Sequence, residues 1–290
     1  MENPIKYSLE EVDEFTFMRE DLLGEGSTAK VYAGVINGTM IAAKYFEADL
    51  DHKKRIYEKE KDILMKFSHS NIIKLMGYVN HEEDEDANEI SQETRDARVL
   101  VLEYAPNTLT KLLDDLNWPQ SLRVIRDLAS ALQYIHNTGY VYCDLKPLNI
   151  LFDEENNLKL GDMGGVVSAD KDIVRFTTEG YGAPEIKATP MFDIFGFGVI
   201  LMQLMTKFED TFFPPAKNRR GKNISDIHIA ERVQQLVQNK GRYQFPELLG
   251  SSGGDKQTAI AIMECGLACA KQNPRARPQS MAEVLAILPI

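Results

Sequence analysis

Cysteine is scarce in this sequence: there are three, Cys143, Cys265 and Cys269, among 290 residues. An odd count, with nothing at the start that reads as a signal peptide, excludes a disulfide framework and predicts a reducing compartment. Cys265 and Cys269 stand four apart, on one face if the stretch is helical. No histidine or third cysteine completes a metal set around them, so they are predicted to be small buried residues. Positive charge is also short. Against 44 acidic side chains there are 33 basic ones, a net charge of −11. That excludes nucleic acid and an anionic membrane as the main partner. Long apolar runs are missing too. The longest, Ile194–Met205, is too short to cross a bilayer and is broken by Gly196, Gly198 and Gln203. There is no internal repeat.

What is present is an ordinary soluble composition, 43% hydrophobic and 27% charged, in a chain long enough for one large domain or two lobes. Residues 1–16 are polar with sparse apolar anchors and predict an arm or a short helix. Asp21–Gly34 has strand-like residues on both sides of Gly24-Glu25-Gly26. A glycine pair between strands is either a plain β-turn or a loop whose N–H groups approach a phosphate. Asn37-Gly38 marks a hairpin. In the strand after it, Lys44 sits amid Ile41, Ala42, Ala43, Tyr45 and Phe46, pointing either to water or into a cleft. Asp51–Phe67 has a helical stripe of Ile56, Ile63, Leu64 and Phe67. Glu60 lies on that stripe and Glu58 is rotated away. A carboxylate on a buried face needs a partner; Lys44 is the candidate, the other reading being a partly exposed edge. Asn71–Val79 and Arg98–Tyr104 read as strands. Between them, Asn80–Ala97 carries eight acids against Arg95 alone, as a solvated loop or as a docking segment for a basic partner.

After Leu102-Glu103-Tyr104-Ala105-Pro106 the composition turns helical, with Pro106 and Asn107 as the link. Leu122, Ile125, Leu128, Leu132 and Ile135 make a core-facing helix that Gly139 ends. Asp193–Met205 is apolar nearly all round and predicts a buried helix, with Asp193 at its start facing free N–H groups. Phe212-Phe213-Pro214-Pro215 reads as a loop. Ile229–Gln238, Asp255–Lys271 and Gln279–Leu288 read as further helices.

The richest stretch is Tyr140–Gly164. Two apolar runs, Asn149–Phe152 and Leu158–Leu160, flank the polar turn Asp153–Asn157. Asp144, Lys146 and Asn149 precede the first run and Asp162 follows the second. A hairpin would bring its open ends together, giving either a polar hairpin end or a place to hold a hard divalent cation and a phosphate.

Nine motifs in order then carry a resemblance: GEGSTAKV (24–31), IAAK (41–44), Glu60 in a helix ahead of HSNI (69–72), VLEYAPN (101–107), YCDLKPLN (142–149), DMG (162–164), APE (183–185), DIFGFG (193–198) and RARP (275–278). Over roughly residues 17–289 the chain resembles a eukaryotic-type protein kinase catalytic domain, nearest the receptor-like and tyrosine-kinase-like branch of the serine/threonine kinases. The implied fold is α+β and two-lobed, with a small β-rich N-lobe carrying one main helix and a larger helical C-lobe. Residues 1–290 read as a single kinase domain, with the N-lobe over 17–105, the C-lobe over 106–289 and an acidic insert loop over 80–97.

The resemblance implies ATP and Mg²⁺ as cofactors and protein Ser/Thr hydroxyls as acceptors. The loop of Gly24, Glu25, Gly26 and Val31 would cover the phosphates, and Ala42 and Leu151 would line the nucleotide. Lys44, paired with Glu60, would hold the phosphates. Leu102 would be the gatekeeper, and Glu103 to Ala105 the hinge that meets adenine. Asp144 would accept the substrate hydroxyl proton and Lys146 would neutralise the moving phosphoryl, while Asn149 and Asp162 would ligate Mg²⁺. Arg277 would pair with Glu185.

Four departures stand out: Cys143 for the usual arginine, Tyr142 for histidine, Met163 for phenylalanine and Ala29 for the third glycine. None removes a catalytic group. The loop from Asp162 to Glu185 offers Ser168, Thr177, Thr178 and Tyr181 as phosphosites. Lys146, two after the aspartate, and Thr178 favour Ser/Thr specificity. Two alternatives stay open: a nucleotide-binding pseudokinase scaffold, and a kinase-fold transferase with a non-protein acceptor. The expected location is cytoplasmic, as a free-standing enzyme, a receptor's catalytic fragment or a protein delivered into a host cytosol. The sequence is silent on oligomeric state.

Overall fold

The structure is a computed structural model that describes residues 4–8, 11–12, 22–26, 28–46, 51–79, 98–169, 173–174, 177–213, 227–238 and 254–290. The acidic run over 80–97 lies outside them, as do Pro214, Pro215 and Gly241. The chain divides into two compact units: Met1–Asn107 with Leu151–Gly164, and Thr108–Ile150 with Gly165–Ile290.

The first unit is built on six strands: β1 (Ile5–Tyr7), β2 (Leu22–Glu25), β3 (Ala29–Ile36), β4 (Thr39–Phe46), β5 (Leu75–Val79) and β6 (Arg98–Glu103). Their order across the sheet is β1-β5-β6-β4-β3-β2. Asn37 (φ 49°) and Gly38 (φ 77°) both take positive φ between β3 and β4, the backbone that a two-residue hairpin of native twist needs. Helix α1 (Asp51–Lys66) buries Tyr57, Glu60, Ile63 and Leu64. Tyr57, absent from the predicted stripe, is fully buried and donates its hydroxyl to the Val79 carbonyl at 2.6 Å. Ile56, which the stripe includes, is only half-buried. Glu58, off the buried face as predicted, holds Lys61.

The N-terminal stretch is not simply an arm or helix. Ile5–Tyr7 is a strand, parallel to β5 with Ile5 opposite Gly77. A Cβ at position 77 would lie 2.3 Å from the Tyr7 ring and 2.6 Å from the Ile5 carbonyl, so β1 seats only on a glycine. Beyond it, Ser8 and Glu11 exchange backbone-to-side-chain bonds at 2.7 and 3.2 Å, a capping box. That turn drives Val12 into the core with Ile41, Val79, Val99 and Val101.

Residues 71–74 are not strand. Instead Ile72 bridges to Leu160 and the Asn71 amide donates to the Leu158 carbonyl at 3.2 Å. These contacts anchor the hairpin of β9 (Ile150–Phe152) and β10 (Leu158–Leu160). Its polar turn forms as the sequence predicts, with Asp153 Oδ1 accepting from the Glu155 and Asn157 N–H groups and Asn156 at φ 60°.

In the second unit, β7 (Asn107–Thr108) leads into α2 (Leu109–Leu112) and α3 (Trp118–Asn137). Asn117 and Gln120 form a capping box at the start of α3, and Gly139 follows its end at φ 83°. The pair β8 (Tyr140–Val141) and β11 (Val167–Ser168) comes next, then α4 (Pro190–Thr206). Every residue of α4 from Phe192 to Thr206 is buried, in line with its all-round apolar sequence. Gly198 lets α4 meet α6 (Lys256–Cys269) closely, since a Cβ there would fall 2.6 Å from the Gly266 carbonyl and 2.7 Å from Cys269 Cβ. Cys265 and Cys269 are thus buried at a helix crossing, which demands small side chains. Phe212-Phe213, predicted as loop, is strand β12, paired with β13 (Ile227–His228). Helices α5 (Ile229–Gln238) and α7 (Met281–Ile287) complete the unit. Among the described residues, no helix is long and apolar enough to cross a membrane.

Candidate active site

In the first unit the register places Lys44 of β4 opposite Val31 of β3 and Leu100 of β6. Two members of the site are buried, Lys44 at 8% and Glu60 at 1% exposed. Lys44 Nζ contacts both Glu60 oxygens at 2.7 and 2.8 Å and Asp162 Oδ1 at 3.0 Å. Burial works against the ammonium, but the Glu60 and Asp162 carboxylates outweigh it and hold its pKa above the ordinary lysine value. Lys44 therefore stays a fixed cation, aimed by two carboxylates from distant parts of the sequence. Asp162 takes φ 48°. Met163 after it is fully buried, the space-filling expected of a thioether. Lys59, which sequence reading passes over, donates to the Gly164 carbonyl at 2.8 Å. The only signal for it is adjacency to Glu60.

The residues expected to surround a nucleotide fall as follows. Gly24 lies within β2, opposite Val31, beside a register shift. Beyond β2 the Gly26 N–H donates to the Ala29 carbonyl at 2.9 Å. Glu25 is exposed and faces Lys30 at 3.4 Å. Ala42 pairs across the sheet with Ala33 and with Leu102. Leu102 and Ala105 are buried and Leu151 is half-buried. The Glu103 carboxylate is spent on structure, accepting from the Lys74 N–H at 2.7 Å and Lys159 Nζ at 2.8 Å.

In the second unit Asp144 is the hub. Its Oδ2 meets Lys146 Nζ at 2.7 Å and the Asn149 amide at 3.0 Å, and its Oδ1 accepts the Thr178 hydroxyl at 2.9 Å. Lys146 also reaches Thr178 Oγ1 at 3.3 Å. Asn149 donates a second bond to the Asp144 carbonyl at 2.8 Å. With its amide nitrogen committed, its oxygen is left as an acceptor. The arrangement can hold an alcohol O–H against a carboxylate with an ammonium beside it.

Asp193 does something the sequence does not reveal. The expectation is a carboxylate facing the free N–H groups of its own helix. Instead Oδ1 accepts the Cys143 N–H at 2.8 Å, and Oδ2 accepts the Tyr142 N–H at 2.7 Å and contacts His136 Nε2 at 2.8 Å. Asp193 is buried, and a buried carboxylate takes the nearest donors. Its contacts pin the segment leading into Asp144, where Cys143 sits at φ 70°, a strained conformation for a residue with a Cβ. Cys143 itself is buried. Tyr142 is fully buried, as a packing aromatic should be. Arg277 and Glu185 pair as expected, through two bonds at 2.5 and 2.9 Å. Tyr181 gives its hydroxyl to Gln203 at 3.0 Å, and burial pushes its phenol up to about 12.

Comparison with known proteins agrees with this geometry. The family model described as protein kinase domain matches residues 17–286. A leucine-rich repeat receptor-like serine/threonine-protein kinase of Arabidopsis thaliana is 30% identical over 304 residues, covering 97% of this chain and 32% of that protein. The L-type lectin-domain containing receptor kinase IV.2 of the same plant is 29% identical over 292 residues, covering 94% of this chain and 40% of its own length. A third relative, the Arabidopsis cysteine-rich receptor-like protein kinase 42, is 26% identical over 305 residues, covering 98% and 44%. The chain thus spans a third to under half of the length of these relatives. With the family match running over most of its length, and with a β-rich unit and a helical unit each bearing a charged cluster, the chain belongs to the protein kinase domain family.

Proposed function

We propose that this chain is an ATP-dependent serine/threonine protein kinase. The observation that carries the reading is the Thr178 hydroxyl, an alcohol already donating to Asp144 Oδ1 with Lys146 beside it. An acceptor Ser or Thr makes the same demand: a carboxylate to orient its O–H and take its proton, and a cation to offset charge on the phosphoryl. ATP would supply the phosphoryl group when bound, with Mg²⁺ offsetting the charge of its oxygens. Lys44, kept cationic by Glu60, binds phosphate. Asp162 in the first unit, whose side chain is 44% exposed, and the side-chain oxygen of Asn149 in the second are each the hard kind of donor that Mg²⁺ takes. The names of the plant relatives include serine/threonine-protein kinase, which supports the same acceptor class. The buried free thiols suit the cytosol as its location, and the acidic segment over 80–97 is proposed to dock a basic partner.

The test is a phosphosite comparison in cells expressing the native chain or Lys44→Met. New Ser and Thr phosphosites are expected with the native chain and none with the variant. Identical site lists would leave a nucleotide-binding scaffold as the better reading, and a labelled small molecule would favour a non-protein acceptor.

One further outcome follows from Cys143. A buried thiol cannot clamp a phosphate as an arginine can. Phosphatase-treated protein is therefore expected to keep its turnover within about twofold, since position 143 makes no charge-assisted contact to lose. Loss of nearly all activity on dephosphorylation would show that another cation does the clamping.

A further inference from the structure

The turn that carries Thr178 is held by a group that the phosphotransfer chemistry does not use. Within it the Tyr181 and Gly182 N–H groups donate to the Thr178 carbonyl at 3.1 and 3.0 Å. Gly180, between them and Thr178, has φ 84°, and a Cβ there would fall 2.0 Å from Thr211 Oγ1. The turn is therefore pressed against the residue that opens into β12. On β13, His228 lies opposite Phe212 and brings Nε2 to 2.9 Å from the Gly180 carbonyl. The Ala230 N–H donates to Nδ1 of the same ring at 3.2 Å. A ring nitrogen that accepts an N–H carries no proton, so the proton is on Nε2 and is donated to Gly180. The ring plane is set by Phe212, edge-on at 5.4 Å, and by Phe195 at 6.1 Å. Both nitrogens of His228 are thus engaged, one on helix α5 and the other on the turn, with two aromatic rings against the imidazole.

We infer that His228 is a positioning residue for the acceptor alcohol. By holding the Gly180 carbonyl it fixes the Thr178–Gly182 turn, and through Thr178 it fixes the place beside Asp144 and Lys146 that a substrate hydroxyl must reach. The inference rests on the reading of the chain as a Ser/Thr kinase. It makes the β12–β13 ribbon part of the acceptor machinery, acting on the protein substrate and not on the nucleotide.

Two substitutions separate the two ends of the ring. His228→Asn keeps an acceptor for Ala230 but falls short of Gly180. His228→Gln carries an amide N–H out to the Nε2 position. His228→Asn is expected to raise KM for an acceptor peptide about tenfold, the worth of one hydrogen bond, with KM for ATP within about twofold of native. His228→Gln is expected to restore most of the acceptor KM. Amide exchange at Tyr181 and Gly182 gives a readout independent of turnover, expected about tenfold faster in the Asn variant and near native in the Gln variant. Native exchange and native acceptor KM in His228→Asn would overturn the inference, as would a Gln variant that behaves like the Asn one. If the native chain transfers no phosphate at all, the kinase reading fails, while the exchange rates still decide whether His228 holds the turn.

Discussion

Asp144→Asn is expected to lower kcat by about 10²- to 10⁴-fold, the range for losing a general base, while leaving the fold intact. The reason lies in its three partners. Lys146 Nζ at 2.7 Å and the Asn149 amide at 3.0 Å are both donors to Oδ2. An asparagine oxygen turned to that end still satisfies them. Its amide nitrogen then faces Thr178, whose hydroxyl donates to Oδ1 at 2.9 Å and can rotate to accept instead. Packing and hydrogen bonding survive, while the capacity to take a proton and the negative charge beside Lys146 are lost. Peptide phosphorylation at saturating ATP measures the effect. Stability is followed in parallel through Trp118, the sole tryptophan, buried in the second unit. A variant that keeps more than about a tenth of native kcat would mean that proton transfer to Asp144 does not limit the reaction, and the assigned role would fall.

The individual members of this machinery are legible in the amino-acid sequence, because each sits in a short motif whose chemistry is local. Lys44 stands out as a charge in an alternating apolar strand, and Glu60 as a charge on the wrong face of a helix. Their contact follows from those two anomalies, since each buried charge requires the other. Asp162 completing the trio at 3.0 Å is harder to read, because its approach depends on the hairpin being anchored by Asn71 and Ile72. That pairing joins segments about ninety residues apart, and no periodicity records it. Asp193 misleads for a related reason. A carboxylate in the first turn of a helix usually serves that helix, and only the tertiary fold reveals that the Tyr142 and Cys143 N–H groups compete for it. Strand β1 escapes pattern reading because three residues carry too little periodicity. The better signal is Gly77, an interior strand glycine, which marks a close backbone approach. His228 has no sequence signature at all. Its role comes from a ribbon whose two strands are separated in sequence and from a glycine carbonyl that any donor could have met.

The largest stability loss is expected at Arg277. Its side chain is fully buried, and all of its N–H donors are used. Nε donates to the Lys271 carbonyl at 2.6 Å, Nη1 to Glu185 at 2.5 Å and Met191 at 2.8 Å, and Nη2 to Glu185 at 2.9 Å and Gln272 at 3.3 Å. The guanidinium also lies 5.0 Å from the Phe195 ring centroid. Arg277→Ala strands the Glu185 carboxylate and three carbonyls together, and should cost about 3–5 kcal/mol, the penalty for breaking a buried pair from one side. Arg277→Lys should recover less than half of that, because a point charge with three donors cannot serve five acceptors set in a fork. Urea titrations followed by Trp118 emission would measure both. The decisive comparison is Arg277→Met alone against Arg277→Met with Glu185→Gln. If the cost comes from the orphaned carboxylate, the double variant is the more stable of the two, with a coupling of about 1–3 kcal/mol. If it is not, the loss belongs to the three unsatisfied carbonyls, and Arg277 acts as a clasp on residues 271, 272 and 191 more than as the partner of Glu185.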